Sequence, residues 1–388
     1  MIKKGIRIIV FLFIICNTTL GFIGISSILL TISIYYLGWY VLTKLIDRFI
    51  SNISSAQNYK LFIGALIMTL FLSEVTLKYI VKSHLTYLEK NKEFFDHSIY
   101  KQNNLINFES NTIRIDSKPE FTYEHRYNSL GLRDIEPIFN NKIFTVIGLG
   151  DSFTEGVGSP QDSTWLKLLE NNLKRLNHSI QTINAGARRS DPISEFILLE
   201  KTLLKYKPNV VIVSINSSDI ADIIVRGGKE RFDNGTVTYS KGPWWEFFYS
   251  FSYIFRNLIH SIFDLNYLLL SEKEYETKKS ISLEKIKNTV FNDYKKLAKK
   301  NNFKLMIILH PTQQELENKN FPLKMLSQQF TQDSSFQTID LYNEYNLYQK
   351  ENDCKFSDLY WQTDLHHNSK GYKLWADILS TKFSPSDQ

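Results

Sequence analysis

A serine stands in Gly150-Asp151-Ser152-Phe153-Thr154-Glu155-Gly156, two residues after the apolar run Ile143-Phe144-Thr145-Val146-Ile147. This order predicts a hydroxyl at the end of a buried strand, where a helix begins. Open α/β folds bind ligands at the carboxyl edge of their parallel strands, and N–H groups at a helix start can stabilise an oxyanion. A serine hydroxyl is a weak nucleophile until a base takes its proton. The strong candidates for that base lie at the other end of the chain, in Asp364-Leu365-His366-His367-Asn368-Ser369-Lys370-Gly371. An aspartate two residues before a histidine can reach the same imidazole from a loop, fix its tautomer and stabilise the imidazolium. His367 is the competing imidazole.

These stretches resemble the first and last sequence blocks of the SGNH (GDSL-type) hydrolases, a family of serine esterases and acyl-group enzymes. G-D-S-x-T/S-x-G matches Gly150 to Gly156, and D-x-H-x-N-x-x-G matches Asp364, His366, Asn368 and Gly371. Tyr127-Asn128-Ser129-Leu130-Gly131-Leu132-Arg133-Asp134 is similar to the lead-in of membrane-anchored members. The resemblance covers residues 120–382. It implies a three-layer α/β/α, flavodoxin-like domain with a parallel sheet. It also implies Ser152 as nucleophile, His366 as general base and Asp364 as its orienting carboxylate. His366 stands two residues before Asn368 and five before Gly371, as the base does in the D-x-H-x-N form; His367 fits the D-x-x-H form instead.

The remaining blocks depart from the family pattern. Gly186, in Asn184-Ala185-Gly186, matches the second-block glycine, whose N–H would join that of Ser152 as an oxyanion donor. The small-Pro-Gly turn that often follows is replaced by Ala187-Arg188-Arg189, two arginines that either hold an anionic substrate group or are solvated loop charges. The third block, G-x-N-D, reads Asn216-Ser217-Ser218-Asp219, with Ser218 at the asparagine position. Asn216 lies two residues earlier, displaced by ~6.6 Å along an extended strand. Asn216 or Ser218 is expected to act as a weak third donor, and losing a donor slows such enzymes by ~10²–10³. Asp219 reads as structural. His310 and His125 read as satisfied polar residues without a role.

The chain has 388 residues, with 46 basic and 40 acidic side chains and a net charge of +6. No dense Lys/Arg block with stacking aromatics occurs, which argues against a nucleic-acid partner. Cys16 and Cys354 are the two cysteines; a disulfide between them is not expected, and no metal-ligand spacing is present. The proposed chemistry needs no cofactor.

From Ile8 to Thr43 no residue is charged. As a single helix this run of about 36 residues would reach ~54 Å, beyond a ~30 Å hydrocarbon core. Two passes turning near Asn17-Thr18-Thr19-Leu20-Gly21 fit better than a cleaved signal peptide. A third run, Leu61 to Val81, is interrupted by Glu74 and Lys78, whose spacing predicts an i,i+4 pair. Residues 1–83 therefore read as an anchor of three transmembrane helices. Lys3, Lys4 and Arg7 before the first pass, and Lys44, Arg48 and Lys60 after the second, place those segments in the cytoplasm. Everything after the third pass is then extracytoplasmic.

Residues 84–140 read as a stalk packing on the edge of a catalytic domain at 141–382. There, strand and helix patterns alternate, as expected for a parallel sheet covered on both faces. Strands are predicted at Lys142–Leu149, Ser179–Asn184, Asn209–Ile215, Lys304–His310 and Gln337–Leu341, with helices over Ser163–Leu176, Ser190–Tyr206 and Ser369–Lys382. An insertion at about 226–285 opens with the hairpin-turn signal Asp233-Asn234-Gly235-Thr236 and continues with Pro243-Trp244-Trp245 and an aromatic run to Leu270. It reads as a helical pair packed on the core, or as a lid or membrane-facing helix.

The expected protein is a multi-pass cell-membrane enzyme. It would cleave acyl esters, acetyl esters by analogy with anchored relatives, on a cell-surface glycan. Two alternatives stand beside this one. The first is an O-acyltransferase with the same triad, needing a membrane acyl-donor partner because three helices are too few to form a donor channel. The second is a non-catalytic glycan-binding or assembly protein, which the altered third block motivates.

Overall fold

The computed structural model describes residues 28–81, 110–140, 142–175, 179–235, 245, 248–249, 252–266 and 268–383. The chain divides into two compact units. The first comprises Met1–Ile99 and Tyr239–Glu276, and the second Tyr100–Thr238 and Thr277–Gln388.

In the second unit, β1 (Ile113–Ser117) and β2 (Thr122–Arg126) form an antiparallel hairpin. The main sheet has five parallel strands: β3 (Phe144–Gly150), β4 (Ile180–Gly186), β5 (Val210–Ile215), β6 (Lys304–Leu309) and β7 (Gln337–Asp340). Their spatial order is β4-β3-β5-β6-β7. Counted among the parallel strands this is 2-1-3-4-5, the flavodoxin-like order. Its switch point, between β3 and β5, opens a crevice at the carboxyl ends. Strand side chains alternate between faces. Val146, Val210, Ile212, Met306 and Ile308 share one buried cluster with Trp165, Leu169, Trp375 and Leu379. The alternate residues Ile147, Val211, Val213 and Ile307 are equally buried on the other side. Continuous apolar runs of this kind are what a sheet covered on both faces requires.

The first covering helix, Trp165–Arg175, and the last, Ser369–Lys382, pack together through parallel Trp165 and Trp375 rings 5.0 Å apart. The stretch predicted as one helix at 190–206 begins with an Asp191 capping box and Pro192, runs helically to Leu198, then widens and tightens in turn before ending at Tyr206. Lys229–Gly235 winds into a 3₁₀ turn; the expected hairpin turn at 233–236 extends beyond the described residues.

The first unit holds helices Ile28–Phe49 and Ile53–Val75, the latter continuing as a wider turn to Ile80. Among the described residues one helix, Ile53–Ile80, is long and apolar enough to cross a membrane by length and composition. The first expected pass lies outside the described residues. The expected Glu74–Lys78 pair is not what forms. Glu74 is buried and accepts from Tyr253 N at 2.7 Å, from Ser252 Oγ and from Tyr35 Oη at 3.4 Å. A carboxylate there satisfies the orphan donors opening the helix Tyr253–Ile262. Lys78 Nζ lies over the Tyr79 ring. The described residues of the aromatic run between 245 and 270 belong to the same compact unit as the N-terminal helices, while both ends of the 226–285 insertion belong to the second unit.

Candidate active site

Ser152 opens a single helical turn, Ser152–Glu155, immediately after β3 and capped by Asp151 Oδ1 on Phe153 N. Ser152 Oγ lies 2.7 Å from His366 Nε2, and His366 Nδ1 lies 2.6 Å from Asp364 Oδ1. One hydroxyl, one imidazole and one carboxylate therefore form a continuous hydrogen-bonded chain. Asp364 is nearly buried while His366 is partly open to solvent. Burial raises the Asp364 carboxyl, but the His366 hydrogen bond and the charges of His366, Lys118 and Arg188 outweigh it and hold it below its ordinary value.

Two features of the 359–371 segment make this geometry. Leu365 has a left-handed backbone (φ 69°), turning Asp364 and His366 toward each other. Such a conformation costs a residue with a Cβ about 1–2 kcal/mol, and Trp361 N to His366 O (2.8 Å) and Leu365 N to Trp361 O (3.0 Å) hold it. Asn368 then caps the last helix, accepting from the N–H groups of Lys370 and Gly371. A Cβ at position 371 would stand 2.2 Å from Leu359 O and 2.3 Å from the His367 ring, so the first turn of the helix packs here only with glycine at 371.

His367 faces the interior. It is fully buried, its Nε2 lies 3.0 Å from Tyr345 Oη, and burial drives its ring well below an ordinary imidazole. His366, not His367, is the imidazole beside Ser152.

Of the groups expected as oxyanion donors, Gly186, Asn216 and Ser218 each have a partner within the protein. Asn216 Nδ2 donates to Asp151 Oδ2 (2.8 Å) and lies 3.1 Å from His310 Nε2, which uses both of its hydrogens. Its Oδ1 accepts from Ser218 N at 2.7 Å, and because a backbone N–H only donates, the amide orientation is fixed. Ser218 Oγ donates to the same Oδ1 at 2.6 Å. Gly186 is the last residue of β4, and its N–H donates to Asn184 Oδ1 at 3.0 Å. The requirement for glycine at 186 is one of packing: a Cβ there would sit 2.1 Å from Glu155 N. The backbone N–H of Ser152, in a first helical turn, has no partner among the described residues.

His310, Asp219, Arg188 and His125 form the hydrogen-bonded surroundings of the site. His310 is buried between Phe153 and Trp375, and burial lowers its ring to about 3. It is neutral, and Asn216 donates to its Nε2. Asp219 accepts from Asn216 N at 2.8 Å, as a structural carboxylate should. Arg188 is neither a solvated loop charge nor an open anion site. Its Nε pairs with fully buried Glu155 (2.9 Å) and its guanidinium with Asp116 of β1 (2.7 Å). Burial opposes a charge on Glu155, yet His125, Arg188 and Arg133 hold its carboxyl below the ordinary range. His125 lies 3.1 Å from Arg188 in that same network. Arg189, next in the loop, has a left-handed backbone (φ 65°). Cys354 is a free, half-buried thiol, and no His/Cys/Asp/Glu cluster with metal-ligand geometry occurs among the described residues.

No protein-family model and no curated protein sequence matches this chain. Solved structures do. It is similar over 62% of its length to all of an acetyl xylan esterase (15% identity, TM-score 0.39). It is similar over 62% to 95% of a lipase/acylhydrolase from Enterococcus faecalis (13% identity, TM-score 0.38). It also matches a two-domain esterase active on acetylated mannans (14% identity, TM-score 0.37), of which it spans 48%.

Proposed function

We propose that this chain is an SGNH-type serine hydrolase of acyl esters. The observation carrying this reading is the unbroken Ser152–His366–Asp364 hydrogen-bond chain at the switch point of the sheet. Ser152 Oγ attacks the ester carbonyl while its proton passes to His366 Nε2. Asp364 keeps the Nδ1–H proton in place and stabilises the imidazolium. The Ser152 N–H is the backbone donor left for the oxyanion. Collapse of the tetrahedral adduct returns the proton to the leaving alkoxide and leaves an acyl-Ser152. Water, deprotonated by the same imidazole, then releases the acid; a sugar hydroxyl in place of water would give transfer.

The resemblance of residues 127–134 to anchored relatives supports a short acyl group, acetyl above all, on a cell-surface glycan. The charge-free run Ile8–Thr43 and the apolar helix Ile53–Ile80 support a multi-pass anchor in the bilayer, with the catalytic unit extracytoplasmic. Cysteine labelling from outside intact cells at position 353 and at position 51 tests this: modification of the first alone fits, and modification of the second alone overturns it.

The reaction is tested with the full chain in detergent on an aryl acetate. Ser152→Ala and His366→Ala should each lower turnover by at least ~10³. Turnover unchanged in Ser152→Ala would sink the hydrolase reading and leave a glycan-binding role. Faster acyl transfer to an added glycan than to water would identify a transferase.

A further inference from the structure

The β1–β2 hairpin lies upstream of the sheet, and none of the catalytic motifs falls in it. Its connection nevertheless grips the loop that carries Asp364. Glu120 accepts the backbone N–H groups of Gln362 (2.8 Å), Thr363 (2.8 Å) and Asp364 (3.0 Å), three consecutive amides leading into the carboxylate that faces His366. Some desolvation opposes its charge, but the N–H bonds from Thr363, Asp364 and Gln362 hold the Glu120 carboxyl below its ordinary value. On the same hairpin, Lys118 Nζ stands 3.7 Å from Asp364 Oδ2. The ring of Phe121, the residue after Glu120, lies 5.4 Å from the Trp361 ring, whose Nε1 donates to Gly158 O at 2.7 Å. The loop is thus clasped by the hairpin on one side and by the segment after Ser152 on the other. It also contains the left-handed Leu365, a conformation that persists only where surrounding contacts over-determine it.

We propose that Glu120 is a positioning residue for the hydrolase reaction, fixing the 362–364 backbone so that Asp364 faces His366 Nδ1. This rests on the triad reading given above. Glu120 acts through Asp364, not on substrate. The charged and titratable groups around the Asp364–His366 pair are Lys118 and Glu120 from the hairpin, Arg188 after β4, Asp151 before Ser152, the His310 and His367 rings, and Tyr372 of the last helix. Removing Glu120 frees the loop and deletes a negative charge. Both changes destabilise a protonated imidazole, so the acid limb of kcat/KM moves to lower pH. Removing Lys118 deletes a positive charge, and the limb moves to higher pH.

The test uses the full chain in detergent, with active sites counted by stoichiometric phosphonylation of Ser152. In Glu120→Ala, kcat per counted site should fall by about 10- to 100-fold, the scale of a small misplacement of catalytic groups, with KM within about twofold. The acid limb should move down in Glu120→Ala and up in Lys118→Met, and Glu120→Gln, which keeps one acceptor oxygen, should recover part of the rate. A purely structural hairpin would lower the number of counted sites without changing kcat per site or the limb, and that result overturns the proposal. A second readout needs no turnover: the low-field proton signal of the His366 Nδ1–H, assigned by its absence in His366→Ala. It should shift upfield or vanish in Glu120→Ala made in the Ser152→Ala background; an unchanged signal also overturns the proposal. Absence of Ser152-dependent turnover in the unmodified chain would remove the hydrolase reading, and the proton signal would then decide the role of Glu120 by itself.

Discussion

Asn216 donates its side-chain amide to Asp151 across 2.8 Å, tying the loop after β5 to the residue before Ser152. Asp151 in turn caps the turn that displays Ser152, through Phe153 N at 2.9 Å. The amide therefore holds the Asp151 cap and, through it, the backbone at Ser152.

Asn216→Ala should lower stability by about 1–3 kcal/mol, because Asp151 Oδ2 and His310 Nε2 lose their buried donor. The rate should fall with it. Denaturant unfolding and aryl acetate turnover, measured on the same samples, check this. A variant with unaltered stability but a much lower kcat would mean that the amide serves the reacting carbonyl after all.

Gly186 is expected to tolerate no side chain. A Cβ would stand 2.1 Å from Glu155 N and 2.4 Å from Thr154 C, both backbone atoms that cannot swing aside. Gly186→Ala should destabilise the protein by about 1–3 kcal/mol or more, seen as a lower melting temperature and poor yield of folded chain. Wild-type melting in this variant would contradict the packing argument.

Leu365 is about half exposed, and its side chain contributes less than its backbone does. Leu365→Gly should keep or raise the melting temperature, since glycine takes a positive φ without a Cβ penalty. Leu365→Val should lower it, since a β-branched residue fits that region poorly. Equal stability of the two variants would show that the turn is not strained.

The buried His310 gives a pH dependence of defined sign. Its ring is lowered from 6.5 to about 3 by burial, so below pH 6.5 the unfolded chain binds a proton that the folded chain refuses. The stabilisation is fully present above pH 6.5 and is lost as pH falls toward 3, by about 1.4 kcal/mol per unit. Other groups titrate here too, and comparison with His310→Phe isolates this one. The stability of wild type relative to that variant should decline as pH drops from 7 to 4. A pH-independent difference would show that the histidine is protonated in the fold.

Much of this was legible because its causes are local. The five strands are apolar runs bounded by polar residues, and each predicted span lies within two residues of the observed one at either end. The last helix, Ser369–Lys382, coincides with its prediction because Asn368 and Gly371 mark its start. The serine, the imidazole and the carboxylate were singled out by motif, and their separation of 214 positions is closed by the sheet. The donors were not legible: whether Asn216 points at Asp151 or at a substrate depends on a partner 65 positions away. Glu120 lay hidden for the same reason, since a carboxylate that binds three amides 242 to 244 residues downstream leaves no local pattern. The i+4 spacing points Glu74 to Lys78, because nothing local shows that the helix start it caps lies about 180 residues away.

The pairing of Trp165 with Trp375 has a consequence for synthesis of the chain. Ser152 leaves the ribosome long before His366, and the helix Ser369–Lys382, which shares one face of the sheet with Trp165–Arg175, follows both. Domains fold progressively as they are translated, yet a nascent chain still short of Ser369 lacks the partner for its first covering helix. Such a chain leaves Trp165 without the ring it stacks on, and one that stops before His366 also lacks the imidazole that hydrogen-bonds Ser152 Oγ, so the core and the hydrogen-bond chain are both completed by the closing stretch 366–382.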